Sequence, residues 1–233
     1  MTVAVVVPWS DSGCDFRRRN WKWVRDRLEA EFPDWEVVVG ESSPGPFNRS
    51  EAILDGVART DAEVLVVYDA DVWFPRGLGD SVEQVVRHGG WAVPHWHLRR
   101  LSEDATEMVL RGEPFGPDLG LDQRPYKGNA TGTLVVVERG LLWKVPPDVR
   151  FVGWGQEDEA WGAALERLAG KPWRGGSDLY HLWHPPQERM NRAEGNPAGV
   201  ALRSRYDRTA RNRAGMIALL AESRALWPEG WGV

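Results

Sequence analysis

The chain has 233 residues, 42% of them hydrophobic and 27% charged, with a formal net charge of −5. This is ordinary globular usage, which excludes disorder over most of the chain. With 29 basic and 34 acidic residues there is no broad basic footprint for nucleic acid. A single cysteine, Cys14, excludes an intrachain disulfide framework and a multi-cysteine zinc site. The longest apolar run, residues 3–9, is far below the ~20 residues that span a bilayer. The N-terminal segment has neither the basic flank nor the long apolar core of a signal peptide, so a soluble, cytoplasmic, single-domain protein is expected.

In chain order, residues 3–7 form a continuous apolar run, the pattern of a strand buried on both faces. Residues 17–31 place Trp21, Val24 and Leu28 on one helical face, and Pro33 ends that helix. A second strand follows at 36–39, a helix at 48–59 and a third strand at 63–68. This alternation predicts an α/β layer in which parallel strands are joined by right-handed crossovers. Residues 81–88 read as a helix and 91–94 as a short strand. The polar stretch 95–129 reads as a long loop with a helix over 102–111. Residues 133–137 return to the sheet and 156–168 form a helix. Residues 185–200 read as a loop, and one last helix covers 203–226.

Three constellations carry chemistry. Asp69 and Asp71 sit two residues apart where the third strand emerges, the place where open α/β sheets bind ligands. Their oxygens suit a divalent cation such as Mg²⁺ or Mn²⁺ bridging a diphosphate. In Gly153-Trp-Gly-Gln-Glu-Asp158, the glycines permit close backbone approach. Glu157 and Asp158 then open a helix, either as acids favourable at its positive end or as a base for an acceptor hydroxyl. Trp154 offers a face for a sugar ring. His181 and His184, three apart, are candidate metal ligands alongside Asp71; His95 and His97 rank lower, as polar loop or acceptor-site residues. Fourteen tryptophans are unusual for this length and suit either packing or stacking on sugars.

Taken in order, Pro46-Phe-Asn-Arg49, Asp69-Ala-Asp71, Gly153-Trp-Gly-Gln-Glu-Asp158 and the downstream histidines resemble the β-1,4-galactosyltransferase and polypeptide N-acetylgalactosaminyltransferase group of GT-A glycosyltransferases. The resemblance covers about four-fifths of the chain, residues 3–184. It implies a GT-A, Rossmann-like nucleotide-binding domain over 1–200 with a mostly parallel central sheet flanked by helices, and a C-terminal helical extension over 201–233. The implied activity is inverting, metal-dependent transfer of a hexose or N-acetylhexosamine from a UDP-sugar to an acceptor hydroxyl.

Position by position, Pro8, Trp9, Glu41, Phe47, Arg49, Asp69 and Gly132 would contact the donor, Asp71 would bind Mn²⁺ (or Mg²⁺), and Asp158 would be the base. Glu157, Trp154 and Gly155 would meet the acceptor. The galactosyltransferase pattern puts the metal histidine at His184 and the N-acetylgalactosaminyltransferase pattern favours His181, so both are carried. The loop after His184 would match a segment that closes over the donor. Two departures stand out: Gln156 replaces the second glycine of a Gly-Gly pair, and Gly128-Asn-Ala-Thr-Gly132 replaces an aromatic-Gly-Gly segment that helps choose the sugar. The acceptor (glycan, protein, small molecule or modified nucleic acid) stays open. The rival classes are a nucleotidyltransferase, for which Ser10–Arg19 is a poor phosphate loop, and a Trp-rich sugar-binding module without turnover. Arg192, Arg203, Arg205, Arg208, Arg211 and Arg213 read as a solvated, partly paired helix face or as an anion-docking surface.

Overall fold

A computed structural model describes residues 1–128, 130–153, 155–185 and 196–231. The apolar runs at the start of the chain become β1 (Val3–Pro8), β2 (Glu36–Gly40) and β3 (Val64–Tyr68), with α1 (Asp15–Glu31) and α2 (Arg49–Ala58) as crossovers. After β3 come the two-residue β4 (Val72–Trp73), α3 (Leu78–His88), β5 (Trp91–Arg100) and α4 (Glu103–Leu110). The chain then forms β6 (Leu134–Glu138), α5 (Arg139–Lys144), α6 (Glu157–Ala169), β7 (Trp173–His181), α7 (Pro197–Thr209) and α8 (Arg213–Arg224).

The strands make one seven-stranded sheet in the order β2-β1-β3-β6-β5-β7-β4. β1 is parallel to β2 and β3, and β5 is parallel to β7. β6 is antiparallel to β3 and β5, and β4 is antiparallel to β7. Five of the seven strands therefore run one way, and β6 and β4 run against them.

The period-two alternation of a strand divides the core into two. Ala4, Val6, Leu65, Val67, Val135 and Val137 face the layer that holds Ile53, Trp161, Leu202, Tyr206 and Leu220. Val5, Val7, Val64, Val66, Tyr68 and Val136 face the layer of Trp21, Leu28, Val82 and Leu101. The C-terminal helices thus share the central core. A buried network fixes them: Tyr206 Oη donates to Asp148 Oδ2 at 2.8 Å, and Arg150 joins Asp148 to Glu222 and to the Leu219 carbonyl. Asp148 is 2% exposed.

Several boundaries differ from the expected ones. The stretch read as a short strand and a loop is instead a ten-residue β5 that carries His95 and His97. β7 was not among the expected strands, because its Arg-Gly-Gly-Ser-Asp core has neither alternation nor β-branched residues. α5 and β4 were also not expected; at six and two residues they are too short to show a period. The single last helix is two helices, broken at residues 210–212, where Asn212 caps α8 by accepting from Gly215 N–H at 3.0 Å. Asn48 and Ser102, read as helical, are N-caps whose side chains accept from Glu51 N–H and Ala105 N–H. No described helix is long and apolar enough to cross a membrane.

β2 and α2 pack with their backbones nearly touching. A Cβ on Gly40 would stand 1.8 Å from the Ala52 carbonyl oxygen, and no side-chain rotation relieves a backbone clash. Gly40→Ala should therefore cost on the order of 2–3 kcal/mol, in the range of core overpacking, measured as a lowered urea midpoint at unchanged slope.

Candidate active site

The site forms at the carboxyl end of β3. Asp69 N–H donates to the Thr133 carbonyl at 2.9 Å, holding the turn against β6. Tyr68 Oη, buried, accepts from Phe74 N–H at 3.0 Å. β4 then pairs with β7 so that Val72 lies opposite His181. Leu182 N–H donates to the Asp71 carbonyl at 2.8 Å. This pairing carries both histidines to Asp71.

His181 Nε2 lies 3.7 Å from Asp71 Oδ1, and His184 Nε2 lies 3.3 Å from Asp71 Oδ2. One donor atom from each of the three residues falls within 4.8 Å of the others. The segment between the histidines is stapled on both sides. Trp183 N–H donates to Thr106 Oγ1 at 2.8 Å, Asn20 Nδ2 donates to the Trp183 carbonyl at 2.9 Å, and Phe16 meets the Trp183 ring edge-on at 5.1 Å. His184 Nδ1 is 2.9 Å from the Pro185 carbonyl. A carbonyl only accepts, so Nδ1 carries the hydrogen and the Nε2 edge faces Asp71.

Burial works against the Asp71 charge, but His181, His184 and Arg17 outweigh it and hold the carboxyl below its usual range. Burial pushes His181 down to about 4, so its imidazole is neutral near neutral pH. For His184 burial is outweighed by the bond to Asp71, and its proton affinity rises. A carboxylate and two imidazoles suit a first-row divalent cation such as Mn²⁺; the imidazole pair fits Mg²⁺ poorly. Both histidines face the carboxylate.

A second cluster adjoins the first. Arg49 donates through Nε and Nη2 to Asp69 Oδ1 at 3.0 and 2.8 Å, and through Nη1 to the Thr131 carbonyl at 3.2 Å. Thr131 Oγ1 donates in turn to the Asp158 carbonyl. The Phe47 carbonyl accepts from Gly153 N–H at 3.0 Å, and Asn48 Nδ2 donates to the Val149 carbonyl at 2.6 Å. Three motifs far apart in sequence are thereby tied into one wall.

Burial raises Asp69 to about 6 against the opposing pull of Arg49. Burial, then the neighbouring Asp158, raises Glu157 to about 7. One Glu157 carboxylate oxygen is shut from water with no hydrogen-bond partner. Asp158 Oδ1 accepts from Glu159 N–H at 2.8 Å. Gln156, at φ 75, is the non-glycine residue with positive φ among those described; it occupies the left-handed position where the resembling family has glycine. Gly153 and Gly155 beside it also have positive φ.

Of the remaining expected donor residues, Pro8 ends β1 opposite Gly40, and Trp9 N–H donates to the Gly40 carbonyl at 3.0 Å. Gly132 lies half-buried between Thr131 and Thr133. Glu41 is exposed beyond β2, and among the described residues nothing joins its side chain to the others. Trp154, Arg192 and the segment 186–195, expected to close over the donor, lie outside the described residues.

His95 is fully buried on β5 at a break in register with β7, and neither ring nitrogen has a partner. His97 Nδ1 is 3.4 Å from Asp178 Oδ1. Both are strand residues away from the Asp71 triad. Arg17 was missed as a site residue. Its Nε is 4.0 Å from Asp71 Oδ2 and has no hydrogen-bond partner, and its guanidinium lies 5.6 Å from the Trp9 ring centre. Its signal was an arginine run opening the helix that follows the first strand.

No protein-family profile matches the chain, and no curated protein matches it in sequence. Solved structures do resemble it. GalNAc-T7 with UDP, GalNAc and Mn²⁺ is 12% identical, with a TM-score of 0.54, over 96% of this chain and 55% of that one. Drosophila β1,4-galactosyltransferase 7 with manganese, UDP-Gal and xylobiose is 13% identical, with a TM-score of 0.44, over 83% and 78%. Glucosyl-3-phosphoglycerate synthase from Mycobacterium tuberculosis is 15% identical, with a TM-score of 0.44, over 98% and 81%. The GalNAc-T7 likeness carries the fold assignment: this chain has the GT-A glycosyltransferase fold, and it spans about half the length of that structure.

A carboxyl whose affinity for its proton is raised on folding stabilises the fold at low pH. That contribution is lost as pH rises from the unfolded value of 4.5 through about 7. Glu157→Gln removes the cost of the buried charge. Its melting temperature relative to the parent should rise between pH 5 and pH 8 by ~2–4 °C, the scale of ~1 kcal/mol for a domain this size, followed by thermal melts across that window.

Proposed function

We propose that this protein is an inverting, metal-dependent glycosyltransferase that moves a hexose or N-acetylhexosamine from a UDP-sugar to an acceptor hydroxyl. The observation that carries the reading is the convergence of Asp71, His181 and His184 within 4.8 Å at the carboxyl end of a central strand. The GT-A fold supports it, as does the related GalNAc-T7 structure, which holds UDP, GalNAc and Mn²⁺.

Asp71, His181 and His184 would hold the divalent cation. When bound there, the cation offsets the charge that develops on the leaving diphosphate. Arg17, whose Nε has no partner, faces the diphosphate. Arg49 is already engaged by Asp69 and Thr131. Its role is to orient Asp69 toward the ribose and to brace the wall that carries Asp158. Trp9 and Phe47 flank the nucleoside. Asp158 accepts the proton of the acceptor hydroxyl, whose oxygen attacks the anomeric carbon from the face opposite the diphosphate, so the configuration inverts. Glu157, with its raised proton affinity, keeps a protonated fraction near neutral pH, and that form donates a hydrogen bond to the acceptor.

Release of UDP from a panel of UDP-sugars tests this reading. Slow hydrolysis of one donor should require Mn²⁺, stop with EDTA, and vanish in Asp71→Ala and His184→Ala. Absence of both hydrolysis and Mn²⁺-dependent binding for every UDP-sugar sinks it. With an acceptor in hand, Asp158→Asn should lower kcat by ~10²–10⁴-fold, the span of general-base catalysis. Glu157→Gln, which keeps a donor at that position, should lose less. Near-normal turnover by Asp158→Asn would take the base role away from it.

A further inference from the structure

A second candidate binding site lies at the opposite end of the central strands. β3 and β6 pair so that Tyr68 meets Leu134 at the Asp69 end, and Val64 meets Glu138 at the other. Arg139 N–H then donates to the Glu63 carbonyl. The start of α5 therefore stands one strand length, roughly 16 Å, from the Asp69 turn. There α5 and the residues after α8 line an open cleft of about 820 Å³.

Its walls are aromatic. Trp143 and Trp227 meet at 5.7 Å and 60°, and Trp227 and Trp231 at 6.3 Å and 67°. The indole N–H groups of Trp143 and Trp227 are shut from solvent without an acceptor. This is not the habit of the molecule: Trp161 Nε1 donates to the Val145 carbonyl at 2.8 Å, and Trp91 Nε1 to the Gly170 carbonyl at 2.9 Å. A buried donor without an acceptor is costly, and an acceptor supplied from outside offsets that cost.

The cleft is also cationic. Arg139, Lys144 and Arg224 line it, against Glu229 as the carboxylate among the described lining residues. Arg224 Nη2 donates to the Trp143 and Lys144 carbonyls at 2.9 and 2.6 Å, and no described carboxylate pairs with it. Arg139 meets Asp61 at 3.8 Å, and that carboxylate is fully exposed. The lining is rich in donors and poor in acceptors. Neither contacting ring pair is parallel, so neither forms a sandwich for a flat base. A pyranose ring, by contrast, needs only one aromatic face for its C–H side and offers many acceptor oxygens.

We propose that this cleft binds an acidic saccharide, one whose sugar ring carries a carboxylate or sulfate, at a site separate from the Asp71 centre. The ring lies on Trp227 or Trp231, its acid group meets Lys144 and Arg224, and its hydroxyls take up the indole donors as the side chains part. The proposal stands whether or not the Asp71 centre transfers sugar.

Isothermal titration of the whole protein tests it with four probes: a galacturonic acid hexasaccharide, a heparin hexasaccharide, cellohexaose and oligothymidylate. Expected is saturable binding of at least one acidic hexasaccharide, weakened by added NaCl. Trp227→Ala and the surface variant Lys144→Glu should each weaken it ~10-fold or more, with circular dichroism unchanged. Asp71→Ala should bind as the parent does. Galacturonate alone would name a carboxylate ligand and heparin alone a sulfate, and either supports the site. Four outcomes overturn it: no binding of either acidic probe, equal binding of cellohexaose, preference for oligothymidylate, or unchanged affinity in Lys144→Glu.

Discussion

The site depends on a ladder of two residues. β4 is only Val72–Trp73, yet its antiparallel pairing with β7 is what sets His181 opposite Val72 and brings Leu182 N–H onto the Asp71 carbonyl. A strand this short has almost no stability of its own. It is held because Val72 and Trp73 are buried in the same core as Tyr180 and Leu182, and because the Tyr68 hydroxyl takes the Phe74 N–H just beyond it. Apolar burial therefore sets the geometry of the Asp71 triad. The stapling of Trp183 to Asn20 and Thr106 then fixes where His184 stands.

Beside this rigid half lies a wall under electrostatic tension. Asp69, Glu157 and Asp158 crowd around one guanidinium, that of Arg49, in a partly dehydrated space. Such crowding destabilises the charged forms and raises the proton affinity of Asp69 and Glu157. Gln156 adds backbone strain at the same place. Strain and perturbed carboxyls together mark a segment shaped by something other than stability. The cost is offset nearby: Asp148, Arg150, Tyr206 and Glu222 lock the C-terminal helices onto the chain just before that segment. The arginines of this region are in part committed to that task. Arg203 pairs with Glu159 and Asp207, and Arg205 pairs with Glu222, which favours the paired helix face over free docking for these two.

The tryptophans separate into kinds once their N–H groups are followed. Trp91 and Trp161 are packing residues with satisfied donors. Trp9 lies beside Trp21 and beside Arg17, the arginine that approaches Asp71. Trp143 and Trp227 are left with donors unused at the opposite end of the central strands.

The sequence by itself determined the α/β class, because fully buried strands such as Val3–Pro8 and Val64–Tyr68 must be continuously apolar and the helices between them must be amphipathic. It also singled out Asp69, Asp71, Glu157, Asp158, His181 and His184 as candidates, and these stand at turns and element ends. It could not show β7, whose Gly-Gly-Ser core lacks a strand period, nor the reach of β5 past Pro94, because those strands form by pairing with each other and not from their own propensity. Only the tertiary structure decided that both histidines face Asp71, that Arg49 belongs to Asp69, that Arg17 joins the site, and that Trp143 and Trp227 share a cleft. Each of these is a contact between residues tens of positions apart. Such contacts are set by strand order and register, which no local pattern in a single chain encodes.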